Sequence, residues 1–201
     1  MAQLISGKAY SLSEIFCGEN DKVIIPDLQR DYCWGNPISD NAEDSLASSC
    51  IDSILRLEKS QEITMGLIYG YYDKVLTPYH LQLCDGQQRL TTLFLIIGVI
   101  NRMLPGNKYR DLLISNFELL EDDYEPHLLY GIRESSLYFL SDLTLHYFLK
   151  DSLSVNELGD QSWFLNSYHH DPTIASIIRA LTTIECKLKD CKNLELLGDF
   201  L

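Results

Sequence analysis

An α+β fold is predicted by three features of the chain: two β-branched or aromatic runs joined by a polar turn, a strongly periodic apolar segment after them, and a second part whose apolar spacing is helical throughout. The 201 residues allow one large domain or two small ones. The expected break is Pro105-Gly106-Asn107, which divides an α+β part over residues 1–106 from an all-helical part over 107–201.

Val23-Ile24-Ile25, stopped by Pro26, reads as a short strand. Asp40 or Asn41 can cap a helix whose core face carries Leu46, Cys50, Ile51, Ile54 and Leu57. Ile63 to Tyr72 and Tyr79 to Cys84 flank a turn containing Asp73, Lys74 and Pro78, and predict a hairpin. After Asp85-Gly86 the period becomes 3.6, with Leu90, Leu93, Phe94, Ile97, Ile100 and Leu104 on one stripe ended by Pro105-Gly106-Asn107. From Lys108 no strand signal of comparable strength occurs, and Ile132, Leu137, Leu140, Leu143, Thr144 and Tyr147 form a helical stripe. Asp171-Pro172 combines an N-cap with proline at the first helical position, ahead of Ile174, Ile177, Ile178, Leu181, Ile184 and Leu188. The terminal Leu194, Leu196, Leu197, Phe200 and Leu201 are apolar enough to need a partner surface, which favours a truncated chain.

Composition excludes several classes. The longest apolar run, Leu93 to Ile100 with its glycine, is eight residues, far short of the roughly 20 that cross a bilayer. The start, with Lys8, Tyr10 and Ser11, has no signal-peptide core, so a cytoplasmic protein with no membrane partner is expected. Sixteen basic against 29 acidic residues give a net charge of −13, which repels phosphate backbones at long range while leaving room for a local basic pocket. Cys17, Cys33, Cys50, Cys84, Cys186 and Cys191 contain no C-x-x-C pair, so buried or idle thiols are expected rather than a zinc site.

Two segments carry the chemistry. Asp85-Gly86-Gln87-Gln88-Arg89-Leu90-Thr91-Thr92 lies where a strand ends and a helix begins. A helix N-terminus offers unpaired N–H groups and partial positive charge to an anion, and Gly86 permits close approach. Arg89 adds a bidentate fork, Gln87 and Gln88 add amides, Thr91 and Thr92 add hydroxyls, and Asp85 could hold a metal ion or orient a water. The plain alternative makes Asp85 an N-cap and its neighbours an exposed first turn. In the second segment, Ile25-Pro26-Asp27-Leu28-Gln29-Arg30-Asp31-Tyr32-Cys33-Trp34, another Gln-Arg pair follows a strand. Two such pairs turned into one cleft suit a polyphosphate, with Tyr32 and Trp34 as walls for a base. Alternatively, Trp34 is core and Arg30 pairs with Asp27 or Asp31.

Together, Ile25-Pro26-x-x-Gln29-Arg30-x-Tyr32-x-Trp34, Gly66-x-Ile68 and Asp85-Gly86-Gln87-Gln88-Arg89-Leu90-Thr91-Thr92-Leu93 resemble the N-terminal domain of the GmrSD-type (type IV) restriction enzymes. The match covers roughly residues 10 to 104, and Tyr130 to Leu140 and Trp163 to Ile184 are similar to the helical part that follows in this family. The resemblance implies a ParB/sulfiredoxin-like fold with a small mixed sheet, and an NTP-binding, NTP-hydrolysing regulatory domain in bacterial defence against modified phage or foreign DNA. It implies a functional core of Asp85, Gln87, Gln88 and Arg89, with Gln29 and Arg30 as a second cluster; combined with the reading of the two segments, this gives catalytic roles to Asp85, Gln88 and Arg89 and nucleotide contacts to Gln29, Arg30, Gly86, Gln87, Thr91, Thr92 and Trp34. The cofactor implied is a nucleoside triphosphate with magnesium, the metal at Asp85. The partners implied are a C-terminal nuclease domain or partner subunit, with DNA reached only through the full-length protein.

Several positions depart from the family. Leu28 stands where an aromatic residue usually precedes Gln-Arg, and the chain carries no histidine-centred nuclease motif, His169-His170-Asp171-Pro172 fitting a helix cap instead. Sulfiredoxin chemistry needs a cysteine where Gln88 stands. Arg133 either faces the cleft or pairs with Glu134 or another nearby carboxylate. The alternative functions are a non-catalytic DNA-sensing or interaction module and a scaffold without nucleotide chemistry.

Overall fold

Val23 and Ile25, two residues apart on one face of an extended segment, are fully buried, and Lys22–Ile25 (β1) lies inside the sheet. The computed structural model describes residues 4–16, 22–41, 44–57, 63–75, 77–116, 124–150, 153–191 and 193–200. Strand β1 lies between Thr77–Asp85 (β3) and Leu128–Tyr130 (β6) and runs parallel to both. Tyr69–Asp73 (β2) closes the other side of β3 as an antiparallel hairpin, giving the order β2-β3-β1-β6. The α+β class is therefore observed, with a small mixed sheet. Because β1, β3 and β6 are parallel, their carboxyl ends share one edge, where α/β sheets place ligands.

The hairpin is shorter on its first side than Ile63 to Tyr72, because the carbonyls of Met65 and Leu67 accept from Arg89 instead of joining the sheet. Leu46–Leu55 (α2) is capped by Ser45, whose hydroxyl accepts from the Ser48 amide, and not by Asp40 or Asn41. Ile38 N–H donates to the Asp44 carbonyl and Pro37 bridges Ser45, so residues 37–45 fold back on themselves before the helix starts. Gln87–Met103 (α3) is buried on nearly every side from Leu90 to Asn101, a central helix rather than a one-faced one.

The second part contains strands, which corrects the all-helical expectation. Ile114–Asn116 (β4) and Tyr124–Pro126 (β5) pair as an antiparallel ribbon, and β6 joins the main sheet. At three residues each they are too short to show alternation. Glu134–Leu143 (α5) runs into a π-helical turn, Thr144–Phe148, whose Phe148 ring lies against Gly98 of α3. Pro172–Lys189 (α6) starts as expected: Asp171 accepts from the Thr173 and Ile174 amides.

One hydrophobic core draws Ile51, Leu83 and Phe94 from the first part and Leu128, Phe139, Ile177 and Ile184 from the second. Inside it, Arg102 pairs with Glu185 at 2.6 Å, the Tyr147 hydroxyl donates to the same Glu185 oxygen at 2.8 Å, and the guanidinium covers the Tyr147 ring. Leu194 and Leu197, on Leu194–Phe200 (α7), pack on this core, so the chain itself covers them. Cys17 and Leu201 lie outside the described residues.

Candidate functional site

Three loops meet at the shared carboxyl edge: residues 26–34 after β1, Gly86 after β3, and residues 131–133 after β6. Gly86 takes the left-handed conformation at φ +98, and a Cβ there would meet the Ile68 side chain at 3.2 Å. Gly86, not Asp85, is the residue that caps α3, and it has no side chain to cover the first-turn amides. That leaves the first-turn amides of a 17-residue helix without a side-chain cap at the edge of the sheet, where Gly86, Gln87 and Gln88 are themselves buried.

The glutamines hold the loop after β1 by its backbone. Gln88 Oε1 accepts from the Cys33 and Trp34 amides at 2.8 and 3.3 Å, and its Nε2 donates to the Asp31 carbonyl at 2.9 Å. Gln87 Nε2 donates to the Arg30 carbonyl at 2.5 Å. Its Oε1 is buried without a hydrogen-bond partner of ordinary geometry, although the side chain stands beside the Tyr130 phenol. Both glutamines are thus buried under the loop.

Arg89 faces the opposite direction. Its Nη1 and Nη2 donate to the Met65 and Leu67 carbonyls at 2.8 and 2.6 Å, and Nη2 lies 3.3 Å from Asp85 Oδ2. Gly66, at φ +94, allows this clasp, since a Cβ would fall 2.1 Å from Arg89 Nη1. The Asp85 side chain is 67% exposed, and its Oδ1 has no partner among the described residues. The guanidinium of the exposed Arg30 and the amide of the half-buried Gln29 likewise have none there.

Thr91 and Thr92 face the core. The Thr91 hydroxyl pairs with the Tyr130 phenol at 2.6 Å, while Thr92 donates to the Gln88 carbonyl and pairs with the Tyr32 phenol at 2.9 Å. Burial pushes both phenols well above the ordinary tyrosine value of 10.0, so each is a neutral structural partner. Tyr32 is fully buried and forms no cleft wall, and Trp34 packs against the core.

Arg133 forms an ion pair with Asp31, with a second contact of 3.3 Å, and stands 3.6 Å from Asp171. Asp31 also accepts from the Thr173 hydroxyl at 3.0 Å. The arginine beside it holds the Asp31 carboxyl below its ordinary value. Asp171 in turn accepts from Ser135 and Ser136. The loop after β1 is therefore bound on its far side to the starts of α5 and α6. Asp31 carries no sequence signal that separates this role from an ordinary polar loop, and Gly66 stands out in the sequence only as part of Gly66-x-Ile68, without its clasp on Arg89.

A family model described as the GmrSD restriction endonuclease, N-terminal domain, matches residues 12–197. The chain belongs to that family. No curated protein matches it. In this GmrSD N-terminal domain the two Gln-Arg segments are brought together: the Arg30 carbonyl lies within hydrogen-bond reach of Gln87 in the first turn of α3. Among the described residues no group of three or more His, Cys, Asp or Glu side chains can hold a metal ion, and no helix is long and apolar enough to cross a membrane. Among the described residues the carboxyl edge of the sheet carries the carboxylates of Asp85, Asp27 and the Arg133-paired Asp31, which form no metal-holding group, so it fits only a magnesium ion that arrives with most of its oxygen ligands on a triphosphate.

Proposed function

We propose that this domain binds and hydrolyses a nucleoside triphosphate with magnesium, and that the nucleotide regulates a modification-dependent restriction protein of bacterial defence. One observation carries the reading: the N-terminus of α3, which has no side-chain cap, directly follows the exposed carboxylate of Asp85 and meets the loop that carries the exposed Arg30, whose guanidinium has no hydrogen-bond partner among the described residues. Backbone amides and helix polarity at such an end favour phosphate oxygens. Arg30 supplies a bidentate charge to them, and Gln29 supplies an amide.

Asp85 Oδ1 orients the attacking water. The water oxygen bonds to the terminal phosphorus as the bond from that phosphorus to the bridging oxygen breaks, the water gives up a proton to solvent, and nucleoside diphosphate and phosphate leave. When bound, magnesium supplies charge neutralisation, held by Asp85 and the phosphate oxygens. Arg89 contributes positive charge while clasping residues 65–67 and Asp85. Gln87, Gln88, Thr91, Thr92 and Trp34 act through the loop and helix that they fix. In the cytoplasm the domain works with a C-terminal nuclease domain or a partner subunit, and DNA is engaged by that full protein, consistent with a charge of −13 here.

The test compares melting of the wild type and Arg30→Ala with ATP, GTP, CTP and UTP, each with magnesium. A nucleotide at about 100 times its Kd adds about 2.7 kcal/mol to the native state. Arg30→Ala is expected to keep the unliganded melting temperature and to bind about 10- to 100-fold more weakly. Absence of a shift with all four nucleotides in the wild type overturns the reading.

A further inference from the structure

A nucleobase at this edge finds no aromatic surface on the loop after β1, where Tyr32 is buried, Trp34 packs on the core and Leu28 is 92% exposed. An aromatic surface comes from the hairpin instead. Tyr69 opens β2 and is the cross-strand partner of Asp85. Opposed residues of an antiparallel pair have Cβ atoms about 4.5–5.5 Å apart, which puts the base of the Tyr69 side chain across the ladder from Asp85.

Three details set this tyrosine apart from an incidental surface residue. The register shifts between Tyr69 and Gly70, which leaves Cys84 as the extra residue on β3, and bulges of this kind re-aim the neighbouring side chain. The backbone leading to it is anchored, because Arg89 holds the Met65 and Leu67 carbonyls and Ile68 packs against both Gly86 and the core. The ring itself is 62% exposed and has no hydrogen-bond or ring partner among the described residues. A fixed main chain thus presents an exposed aromatic ring across the ladder from Asp85, the residue before the Gly86 cap of α3.

We infer that Tyr69 is the base-stacking residue of this site, which sets the preference for nucleosides over bare polyphosphate. The inference rests on the nucleotide reading above. Stacking on one ring face accepts any base, since every base has a π-face, so Tyr69 adds affinity without choosing among ATP, GTP, CTP and UTP. Arg30 and the α3 amides hold the phosphates, and the hairpin holds the other end of the ligand.

The experiment measures, by calorimetry on the full chain with magnesium, the affinities of the nucleotide that stabilises it most and of inorganic tripolyphosphate. In the wild type the nucleotide is expected to bind more tightly than tripolyphosphate. Tyr69→Ala is expected to weaken the nucleotide by about 5- to 100-fold, to leave tripolyphosphate unchanged and so to close the gap, while Tyr69→Phe keeps it. Equal nucleotide binding by wild type and Tyr69→Ala overturns the inference and leaves the nucleotide reading standing. So does a parallel loss of both ligands, which would place Tyr69 in the phosphate site or in folding. A wild type that binds neither ligand removes both.

Discussion

Two arginines of similar sequence context have different physical duties. Arg89 clasps two backbone carbonyls and a carboxylate, whereas the exposed Arg30 side chain makes no hydrogen bond or ion pair with the described residues. Arg89→Ala is therefore expected to lose about 2 kcal/mol in urea unfolding, since hydrogen bonds to a charged donor are worth about 1.5–3 kcal/mol. Arg89→Lys recovers only part of this, because an ammonium lacks the planar fork that spans both carbonyls. The Asp31–Arg133 pair adds a pH signature. The folded carboxyl titrates below its ordinary value of 3.8, so its stabilisation is complete above that value and disappears as pH falls through it and past the depressed one. Melting curves from pH 7 to pH 2 are expected to show the wild type above Asp31→Asn at neutral pH, with the gap closing below about pH 4. Composition located these residues but could not assign their work. A glutamine amide pairs as readily with a loop carbonyl as with a ligand, and only the fold shows that Gln88 meets Asp31, Cys33 and Trp34.

Long and strongly patterned elements were legible: α3, α6 and the strand stopped by Pro26 occur near their expected bounds, and the hairpin occurs with its first strand starting at Tyr69 instead of Ile63. Elements that depend on partners were not. Strand β6 has only Leu128, Leu129 and Tyr130, and extends because β1 offers it a ladder, while the start of α2 is decided by the fold-back of residues 37–45. The loop after β1 also rests directly on α6, where the Gly35 amide donates to the Ser176 hydroxyl. A Cβ on Gly35 would come within 1.9 Å of the Ser176 carbonyl oxygen, a backbone atom that cannot swing away. Gly35→Ala is expected to cost about 3 kcal/mol, at the upper end of ordinary overpacking, and to lower the melting temperature more than Arg89→Ala does.

Across the whole molecule, the two sequence parts share their interior. Strand β1 has β6 from the second part as a neighbour, and both α2 and α3 pack on α6. A fragment of residues 1–106 lacks these surfaces and is expected to show no cooperative thermal transition by circular dichroism, whereas the full chain melts in one. The mixture of readable and unreadable features has the same origin at this scale, since helical stripes announce that they will be buried but not against what. The two glutamines grip the loop after β1 only through main-chain atoms. Its shape is consequently indifferent to the identities of Leu28, Arg30 and Cys33, whose side chains point into solvent. Such a mount lets descendants exchange recognition chemistry at three positions by single substitutions without renegotiating the fold, which is the kind of freedom that an arms race rewards.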